Sequence, residues 1–427
     1  MDEFGKYNFI LKLYDGLWKA LLPFLGINSR LREGLDDRLI KKNPPQADIW
    51  IQAASAGEAY LACSLVERLL SQKKFSILVT TNTRQGFDII SGEIAATAEN
   101  NRTATTRISY FPFDSPSLME RAVKAVSPKL MVLLETELWP GLLFALKKAE
   151  SKVVIINGRM SDKTLKRYLV FPGFWKIVAP DRILAISEKD AKRFAALFGD
   201  KNVTTMPNMK FDRLTTTNTG QNGSRLKPIL GDNASLLVLG SVRQEEEEAV
   251  ANIIRDVLSK KPDTVTGLFP RHMHRLEHWS KTLDGMGIAW RYRSNLENGP
   301  VPSGTVILWD RFGELSHAYT LAKAVFVGGS LAPLGGQNFL EPLICGVPPV
   351  IGPWWDNFKW AGNELMEQGL VLRVDNWQQV SAELIRQLDN PAPRDAIQKA
   401  VTDYLEKRKG GTGQACSVIT NLLEETA

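Results

Sequence analysis

Residues 49–58, Ile-Trp-Ile-Gln-Ala-Ala-Ser-Ala-Gly-Glu, decide the fold of the first part of the chain. The apolar run 49–54 is typical of a buried strand in a parallel sheet, and a helical pattern begins directly after it. Glu58 therefore lies in the first turn of a helix that follows a strand. Such a glutamate is common because the helix dipole favours it. The same dipole is expected to lower the pKa of Glu58, which would keep it ionised as a proton acceptor.

Short apolar runs and helical patterns alternate onward from this stretch. The predicted strands cover residues 49–54, 76–81, 130–134, 153–156 and 183–186. The predicted helices cover residues 59–70, 117–126, 140–149 and 188–198. Repeated strand–helix units connect with right-handed crossovers, so we predict a doubly wound parallel sheet.

A polar segment rich in Gly, Thr and Asn, residues 212–228, interrupts the alternation and predicts a linker or a long surface loop. The alternation then resumes, with strands at 236–239, 265–269, 306–309, 325–327 and 349–351 and helices such as 245–259 and 315–322. The chain has 427 residues, too many for one core. We predict an α/β fold with two Rossmann-like doubly wound lobes facing a cleft. The expected divisions are an N-terminal helical segment 1–43, a first domain 44–211, a linker 212–230, and a second domain 231–427 that includes closing C-terminal helices.

The overall charge and the cysteines limit the class of protein. The net charge of +6 favours an anionic partner, which can be nucleic acid, a phospholipid surface or a phosphorylated substrate. Aromatic and basic residues are not interleaved in any nucleic-acid-binding motif, so nucleic acid is the least favoured of the three. The three cysteines are widely spaced and indicate neither a disulfide framework nor a zinc site, which fits a reducing cytoplasm.

The N-terminal segment is predicted to form an amphipathic helix. Its apolar stripe is spaced as on one helical face and comprises Ile10, Tyr14, Leu17, Leu21 and Phe24. A basic collar follows and comprises Arg30, Arg32, Arg38, Lys41 and Lys42. The longest uncharged run is too short to span a membrane, so the helix would lie on a membrane surface. The alternative is a helix packed on the following domain, and both can hold.

Two carboxylates follow the apolar run 130–134, namely Glu135 and Glu137. We expect one of them to cap the helix that starts at Pro140 and the other to act in the cleft. In the second domain Arg271 follows a predicted strand, as a phosphate-binding cation would. The alternative for Arg271 is an ordinary surface residue.

The glycine-rich segment after the strand at 325–327 suggests a nucleotide site. Glycines 328 and 329 would let the backbone approach the ligand, helix N-terminal amides would hold its phosphate, and Glu341 on the following helix would bind the ribose hydroxyls. A structural glycine-rich turn is the alternative. The acids at 245–248 are predicted to lie on a solvated helix start capped by Ser241. His272, His274 and His278 lack metal-ligand spacing, so we expect no metal site.

Taken together, the motifs resemble one family, the 3-deoxy-D-manno-octulosonate (Kdo) transferases of lipid A biosynthesis. The resemblance runs in order over nearly the whole chain, through the segments starting at residues 55, 110, 135, 157, 208, 270, 313, 328 and 338. It implies the GT-B architecture of glycosyltransferases and inverting transfer of Kdo from CMP-Kdo to a glucosamine hydroxyl of the tetraacyl lipid A precursor. No cofactor or metal is implied. The first domain would bind the acceptor and the second the CMP-sugar, at the cytoplasmic face of the inner membrane.

The resemblance also implies roles for individual residues. Glu58 would be the proton acceptor, and Glu135 and Lys210 would stabilise the transition state. The residues that would hold CMP are Pro270, Arg271, Phe312, Gly313, Glu314, Asn338, Phe339, Leu340 and Glu341.

The chain departs from the family pattern at four places. Gln52, Arg243 and Gln337 stand where relatives tend to carry His, with Val242 preceding Arg243 in place of Thr, and Trp354-Trp355 replaces a His-Thr pair. The alternatives are therefore a GT-B enzyme with another ulosonate or a UDP-sugar donor, and a non-catalytic lipid-binding relative.

Overall fold

The computed structural model describes residues 3–73, 75–100, 106–214, 226–230, 235–296 and 299–425. Contacts divide the chain into two compact units. Unit 1 comprises Met1–Arg213 and Arg408–Ala427, and unit 2 comprises Leu214–Lys407. Most of the predicted linker, residues 215–225, lies outside the described residues.

Unit 1 is built on a seven-stranded sheet in which every strand pairing is parallel. Its strands are β1 Ile49–Ala53, β2 Ile77–Thr81, β3 Thr106–Tyr110, β4 Leu130–Leu134, β5 Lys152–Gly158, β6 Arg182–Ala185 and β7 Val203–Thr205. Its first helices are α1 Glu3–Leu25, α2 Ser29–Arg32, α3 Leu35–Arg38, α4 Ala56–Gln72, α5 Arg84–Asn100, α6 Pro116–Val126, α7 Pro140–Lys148, α8 Asp162–Tyr168, α9 Pro172–Ile177 and α10 Glu188–Phe198.

The strand order in unit 1 is β3-β2-β1-β4-β5-β6-β7. Strands β1 and β4 are therefore neighbours in the sheet although they are not consecutive in the chain, and Gln52 is paired with Leu133. Both strands are buried along their whole length, which explains their unbroken apolar sequences. The residues that follow β1 and β4 meet at this topological switch point, where doubly wound sheets bind their ligands.

Unit 2 contains a second seven-stranded parallel sheet, with the order β10-β11-β9-β8-β12-β13-β14. Its strands are β8 Ser235–Val242, β9 Thr264–Pro270, β10 Trp290–Tyr292, β11 Val306–Leu308, β12 Ala324–Val327, β13 Val350–Ile351 and β14 Leu372–Arg373. Its helices are α11 Lys227–Leu230, α12 Glu247–Lys260, α13 Leu276–Gly285, α14 Leu315–Leu321, α15 Leu340–Ile344, α16 Glu364–Glu367, α17 Trp377–Asp389 and α18 Arg394–Glu406. The predicted fold class is confirmed.

The last helix, α19 Gly411–Glu424, corrects the expected domain division. We expected the C-terminal helices to close the second domain, but residues 408–427 belong to unit 1. The buried side chains of α19, including Ala415, Cys416 and Ile419, share one core cluster with residues of α4 and of the first sheet. Burial of this apolar face explains why the chain returns to unit 1.

Helix α1 presents apolar side chains on two faces. Leu11 is buried, and Tyr7, Trp18 and Leu22 pack against the core of unit 1. Asp15 accepts hydrogen bonds from Ser115 and Ser117, among others, and so fixes the helix to the domain. A second set of apolar side chains on this helix and the residues just after it is exposed and comprises Phe9, Ile10, Leu13, Leu17, Leu21, Phe24 and Ile27. Among the described residues, no helix has the length and apolar character needed to cross a membrane.

The basic collar predicted after α1 is not a continuous charged surface. Arg38 is buried and donates hydrogen bonds to the backbone oxygens of Glu33 and Asn82. Its expected role in binding headgroups is therefore wrong, because its guanidinium closes the α3 turn instead. Lys41 and Lys42 are exposed, and Lys41 pairs with Asp36. The side chain of Arg30 lies outside the described residues.

Candidate active site

Glu58 lies at the start of α4, directly beyond the end of β1. Ser55 caps this helix: its hydroxyl accepts a hydrogen bond from the Glu58 amide at 3.4 Å and donates one to Glu58 Oε1 at 2.9 Å. Glu58 Oε2 accepts a hydrogen bond from the Ala54 amide at 2.7 Å. The carboxylate is buried, and burial raises its pKa above the ordinary value. The expected lowering of this pKa by the helix dipole is wrong, because desolvation outweighs the hydrogen bonds from Ala54 and Ser55.

Glu135 follows β4 and is the centre of a small ionic network. Its Oε1 accepts a hydrogen bond from Lys210 Nζ at 2.7 Å, and its Oε2 accepts one from Arg159 Nε at 2.6 Å. The backbone of Glu135 has a φ of 55°, a left-handed conformation that is unusual for a non-glycine residue. Two cations thus share one buried carboxylate. The network carries a net positive charge, which suits an anionic substrate or transition state.

Lys210 reaches Glu135 from a 3₁₀ turn at Met209–Phe211. The Asn208 side chain caps this turn by accepting a hydrogen bond from the Lys210 amide at 3.0 Å. Asn157, at the end of β5, accepts a hydrogen bond from the Met209 amide at 2.9 Å through its Oδ1. The turn is thereby fixed to the carboxyl edge of the sheet, and it brings Lys210 into contact with Glu135.

Glu137 is a second carboxylate near Glu58. Its Oε2 accepts a hydrogen bond from Trp139 Nε1 at 2.7 Å. Burial, followed by the charge of Glu58, raises the pKa of Glu137 to about 7. Neither Glu135 nor Glu137 caps α7, contrary to expectation. The buried Asp114 takes that role, because its carboxylate accepts hydrogen bonds from the amides of Gly141 and Leu142.

Gln52 lies near the end of β1. It is fully buried. Its Oε1 accepts a hydrogen bond from Thr80 Oγ1 at 2.6 Å, and its Nε2 donates one to Asn82 Oδ1 at 3.2 Å. A neutral amide is therefore held rigidly beside the carboxylates of unit 1.

In unit 2, the predicted donor-binding residues follow strand ends of the second sheet. Pro270 ends β9, and the exposed Arg271 follows it. Glu341, in the first turn of α15, has a pKa raised by burial and lowered in part by the Asn338 hydrogen bond and the Arg271 charge. Asn338 Nδ2 donates that hydrogen bond to Glu341 Oε1 at 2.8 Å. Arg271, Asn338 and Glu341 thus form one polar cluster.

The other residues predicted to bind CMP differ in how far their side chains are exposed. Phe312 is 82% exposed, and Gly313 has a φ of 81°, which favours glycine. Glu314 accepts two hydrogen bonds from Arg293, at 2.8 and 3.1 Å, and is therefore held in place. The side chains of Phe339 and Leu340 are buried in unit 2. These two residues can meet a ligand only through their backbone.

A buried acid, Glu246, binds the backbone of the glycine-rich segment. Its carboxylate accepts hydrogen bonds from the amides of Gly329, Ser330 and Leu331 and from the amide of Arg243. The amides of residues 329–331 are therefore occupied by an internal anion and are not free to hold a ligand phosphate. Glu246 and Glu247 are buried, the latter paired with Arg275, so the acids at 245–248 are not a solvated face. Arg243, not Ser241, precedes the helical turn at Gln244–Glu246.

Arg159 and Glu246 were not among the predicted site residues, and Glu137 was predicted only as one of two carboxylates that cap a helix or act in the cleft. Arg159 and Glu137 come just after apolar strands. A charged residue in that position of the sequence could have identified both as candidates. Within the described ranges, no cluster of three His, Cys, Asp or Glu side chains is placed to hold a metal ion.

The chain is similar to known proteins in sequence and in fold. Residues 29–213 match the sequence model of the family described as 3-Deoxy-D-manno-octulosonic-acid transferase (kdotransferase). A UDP-GlcNAc 2-epimerase from Neisseria meningitidis matches 88% of this chain and 99% of its own, with a TM-score of 0.54 and 12% identity. A glycosyltransferase from Rickettsia africae matches 88% of this chain and 99% of its own, with a TM-score of 0.55 and 9% identity. At this identity the two structures show the fold alone.

Curated relatives extend the match beyond the first unit. The 3-deoxy-D-manno-octulosonic acid transferase of Haemophilus influenzae is 28% identical and covers 98% of both chains. That of Bordetella pertussis is 28% identical and covers 89% of this chain and 88% of its own. A bifunctional glycosyltransferase/methyltransferase of Fusobacterium nucleatum is 28% identical. The matched region covers 87% of this chain and 57% of that protein.

The fold and the polar residues at its strand ends define a glycosyltransferase of the GT-B class. Within that class, the chain is similar to 3-deoxy-D-manno-octulosonic-acid (Kdo) transferases over nearly its whole length, and residues 29–213 match the sequence model of that family.

Proposed function

We propose that this protein transfers Kdo from CMP-Kdo to a glucosamine hydroxyl of the tetraacyl lipid A precursor, with inversion at the anomeric carbon. The observation that carries the proposal is the pairing of a buried base with a cationic network in unit 1. Glu58 follows β1 and the Glu135–Lys210–Arg159 network follows the neighbouring strand β4. Unit 2 supplies Arg271, Asn338 and Glu341 for the nucleotide.

In the proposed reaction, the Glu58 carboxylate accepts the proton of the acceptor hydroxyl. The hydroxyl oxygen forms a bond to the anomeric carbon of Kdo from the face opposite the phosphate. The bond from that carbon to the phosphate oxygen breaks, and CMP leaves with the electron pair. The raised pKa of Glu58 makes it a stronger base than an exposed carboxylate. Lys210 and Glu135 would hold fixed charges close to the reacting groups.

The test is to incubate the protein with CMP-Kdo and the tetraacyl lipid A precursor and to measure the product by mass spectrometry. We expect addition of Kdo, and a loss of about 10²–10⁴-fold in rate for Glu58→Gln, the usual contribution of a general base. Glu67→Gln, on an exposed position of the same helix, is the matched control. Absence of Kdo transfer by folded protein would defeat the proposal. Full activity of Glu58→Gln would defeat only the role of that residue.

We further propose that the protein docks on an anionic membrane surface through α1. The exposed apolar side chains of α1 have no core to cover them, whereas its other face packs on unit 1. Val170 and Phe171 are also exposed. They precede Phe174, whose ring packs against Tyr7 of α1 with 5.7 Å between the ring centroids. An apolar helix face of this kind is typical of surface-bound helices.

Flotation with phosphatidylglycerol vesicles tests the docking proposal. Leu13→Gln combined with Leu17→Gln should weaken vesicle binding about tenfold or more, because burial of one leucine contributes about 1.5–3 kcal/mol. Both residues are exposed, so folding should be unchanged. Lys399→Gln on α18 is the control. Equal flotation of the double variant and the parent protein would contradict the proposal.

A further inference from the structure

Arg243 lies at the centre of the carboxyl edge of the second sheet. It follows β8, which is flanked in the sheet by β9 and β12. The register between β8 and β9 is irregular near their ends, where Val242 pairs with Pro270. The amide of Arg271 donates a hydrogen bond to the Val242 oxygen at 2.8 Å. Arg243 and Arg271 therefore leave adjacent strand ends side by side.

The charge of Arg243 is poorly matched by the acids around it. Its Nε is buried and makes no hydrogen bond within the described part of the chain. The nearest carboxylate that pairs with it, Glu245, lies at 3.7 Å, which is beyond an ordinary hydrogen bond. Glu246 is close in sequence, but both of its oxygens are engaged by backbone amides. The Arg243 side chain is 29% exposed and thus accessible to a ligand.

Arg271 has the same excess of charge. Its guanidinium makes no ion pair within 4.0 Å among the described residues. Its charge lowers the pKa of Glu341 without such a contact. His272 also lies in this positive field, because burial and then Arg243 and Arg271 lower its pKa. Two neighbouring cations without a firm partner repel each other, and a shared anion would relieve that repulsion.

We propose that Arg243 and Arg271 together bind the phosphoryl group of the nucleotide-sugar donor. A phosphoryl group offers several charged oxygens, and the planar guanidinium matches them with paired hydrogen bonds. The identity of the donor as a CMP-sugar rests on the proposed function, whereas the phosphoryl contact does not. Arg243 is thus an added specificity residue for the donor.

Calorimetric titration of the full chain with CMP tests this inference. Arg243→Gln should weaken CMP binding about 10-fold or more, because a charge-assisted hydrogen bond is lost. Arg243→Lys should bind with intermediate affinity, since it keeps the charge but not the fork. Salt should weaken CMP binding less in Arg243→Gln than in the parent protein. Arg255→Gln, on exposed α12 surface, removes the same charge elsewhere in unit 2 and should bind CMP as the parent does.

The outcomes separate this inference from the proposed function. CMP binding by Arg243→Gln within about twofold of the parent protein would overturn the inference, even if Kdo transfer is observed. Loss of affinity for intact CMP-Kdo alone, with CMP unaffected, would also overturn it, because the contact would then be to the Kdo carboxylate. Preference for UDP with the same dependence on Arg243 would support the inference and defeat the CMP-Kdo donor. Circular dichroism of each variant checks the fold, and Arg243→Lys still tests the contact if Arg243→Gln does not fold.

Discussion

The two units place opposite kinds of polar site at the carboxyl edges of similar sheets. In unit 1 the charged side chains pair with one another: Lys210 and Arg159 hold Glu135, and Ser55 holds Glu58. In unit 2 the buried Glu246 is bound by backbone amides and the partly exposed Glu314 is paired with Arg293. This leaves Arg243 and Arg271 without firm partners among the described residues.

This difference separates two tasks. Groups that are already paired are fixed before any substrate arrives, which suits catalysis, since a preorganised charge needs no rearrangement in the transition state. Cations that lack a partner gain one when an anionic ligand binds, which suits affinity. Changes in unit 1 should therefore reduce the rate of transfer, and changes in unit 2 should reduce donor binding.

After Glu58→Gln, the largest effect is expected for Lys210→Met. The turnover rate should fall about 10²–10³-fold, because a fixed charge that stabilises the transition state is lost. Affinity for CMP should not change, because Lys210 belongs to unit 1. Steady-state kinetics and calorimetry measure the two quantities separately. A fall in CMP affinity equal to the fall in rate would break the division between the units.

A double variant separates catalysis from stability in this network. Lys210→Met alone leaves Glu135 with only Arg159, and the free energy of unfolding should fall by about 1–3 kcal/mol. Adding Glu135→Gln should recover much of that stability, because the buried carboxylate is then neutral. It should not recover activity. Recovery of activity by the double variant would show that the pair has only a structural role.

A smaller effect is expected for Glu246→Gln in unit 2. An amide side chain has only one acceptor oxygen, so some of the four amides now bound by Glu246 would face an NH₂ group. The free energy of unfolding should fall by about 1–3 kcal/mol, and CMP binding should weaken as the 328–331 segment loosens. Glu248→Gln, on an exposed position of α12, is the control. Unchanged stability would mean that Glu246 does not hold this segment.

The strands that could be predicted from the sequence are the interior ones. Each predicted strand matches one of the five interior strands of a sheet, whereas β3, β7, β10 and β14 were missed, and these are the four edge strands. An interior strand is buried on both faces and needs an unbroken apolar run. The edge strands are short or partly exposed, as in β7 and β10, and their mixed sequences resemble loops.

The site was predictable where it depends on local order and not where it depends on long-range contacts. Glu58 and Glu135 became candidates because each lies just after an apolar strand, and their catalytic roles came from the family resemblance. The Glu246–Gly329 contact joins residues 83 positions apart, and nothing near Glu246 in the sequence indicates its partner. The predicted direction of the Glu58 pKa shift was wrong for the same reason. The helix dipole can be predicted from nearby residues, whereas burial depends on distant parts of the chain.

The last expected effect depends on pH and concerns Glu137, whose pKa is raised to about 7 by burial and by Glu58. The folded protein therefore holds the Glu137 proton more tightly than the unfolded chain does, and the resulting stability is lost as the pH rises from about 4.5 through 7. Glu137→Gln stays neutral, so its free energy of unfolding should exceed that of the parent protein by about 3 kcal/mol at pH 8 and by less than about 1 kcal/mol at pH 5.

Urea unfolding at several pH values measures this difference. The raised pKa of Asp114, also about 7, contributes equally to both proteins and cancels in the comparison. Glu67→Gln, on an exposed position of α4, should show no such trend. A difference between Glu137→Gln and the parent protein that stays constant from pH 5 to 8 would show that Glu137 does not titrate in this range. Glu137 would then be held in one charge state by its surroundings, as Glu135 is by its two cations. The contrast with the cations of unit 2, which lack firm partners among the described residues, would become sharper.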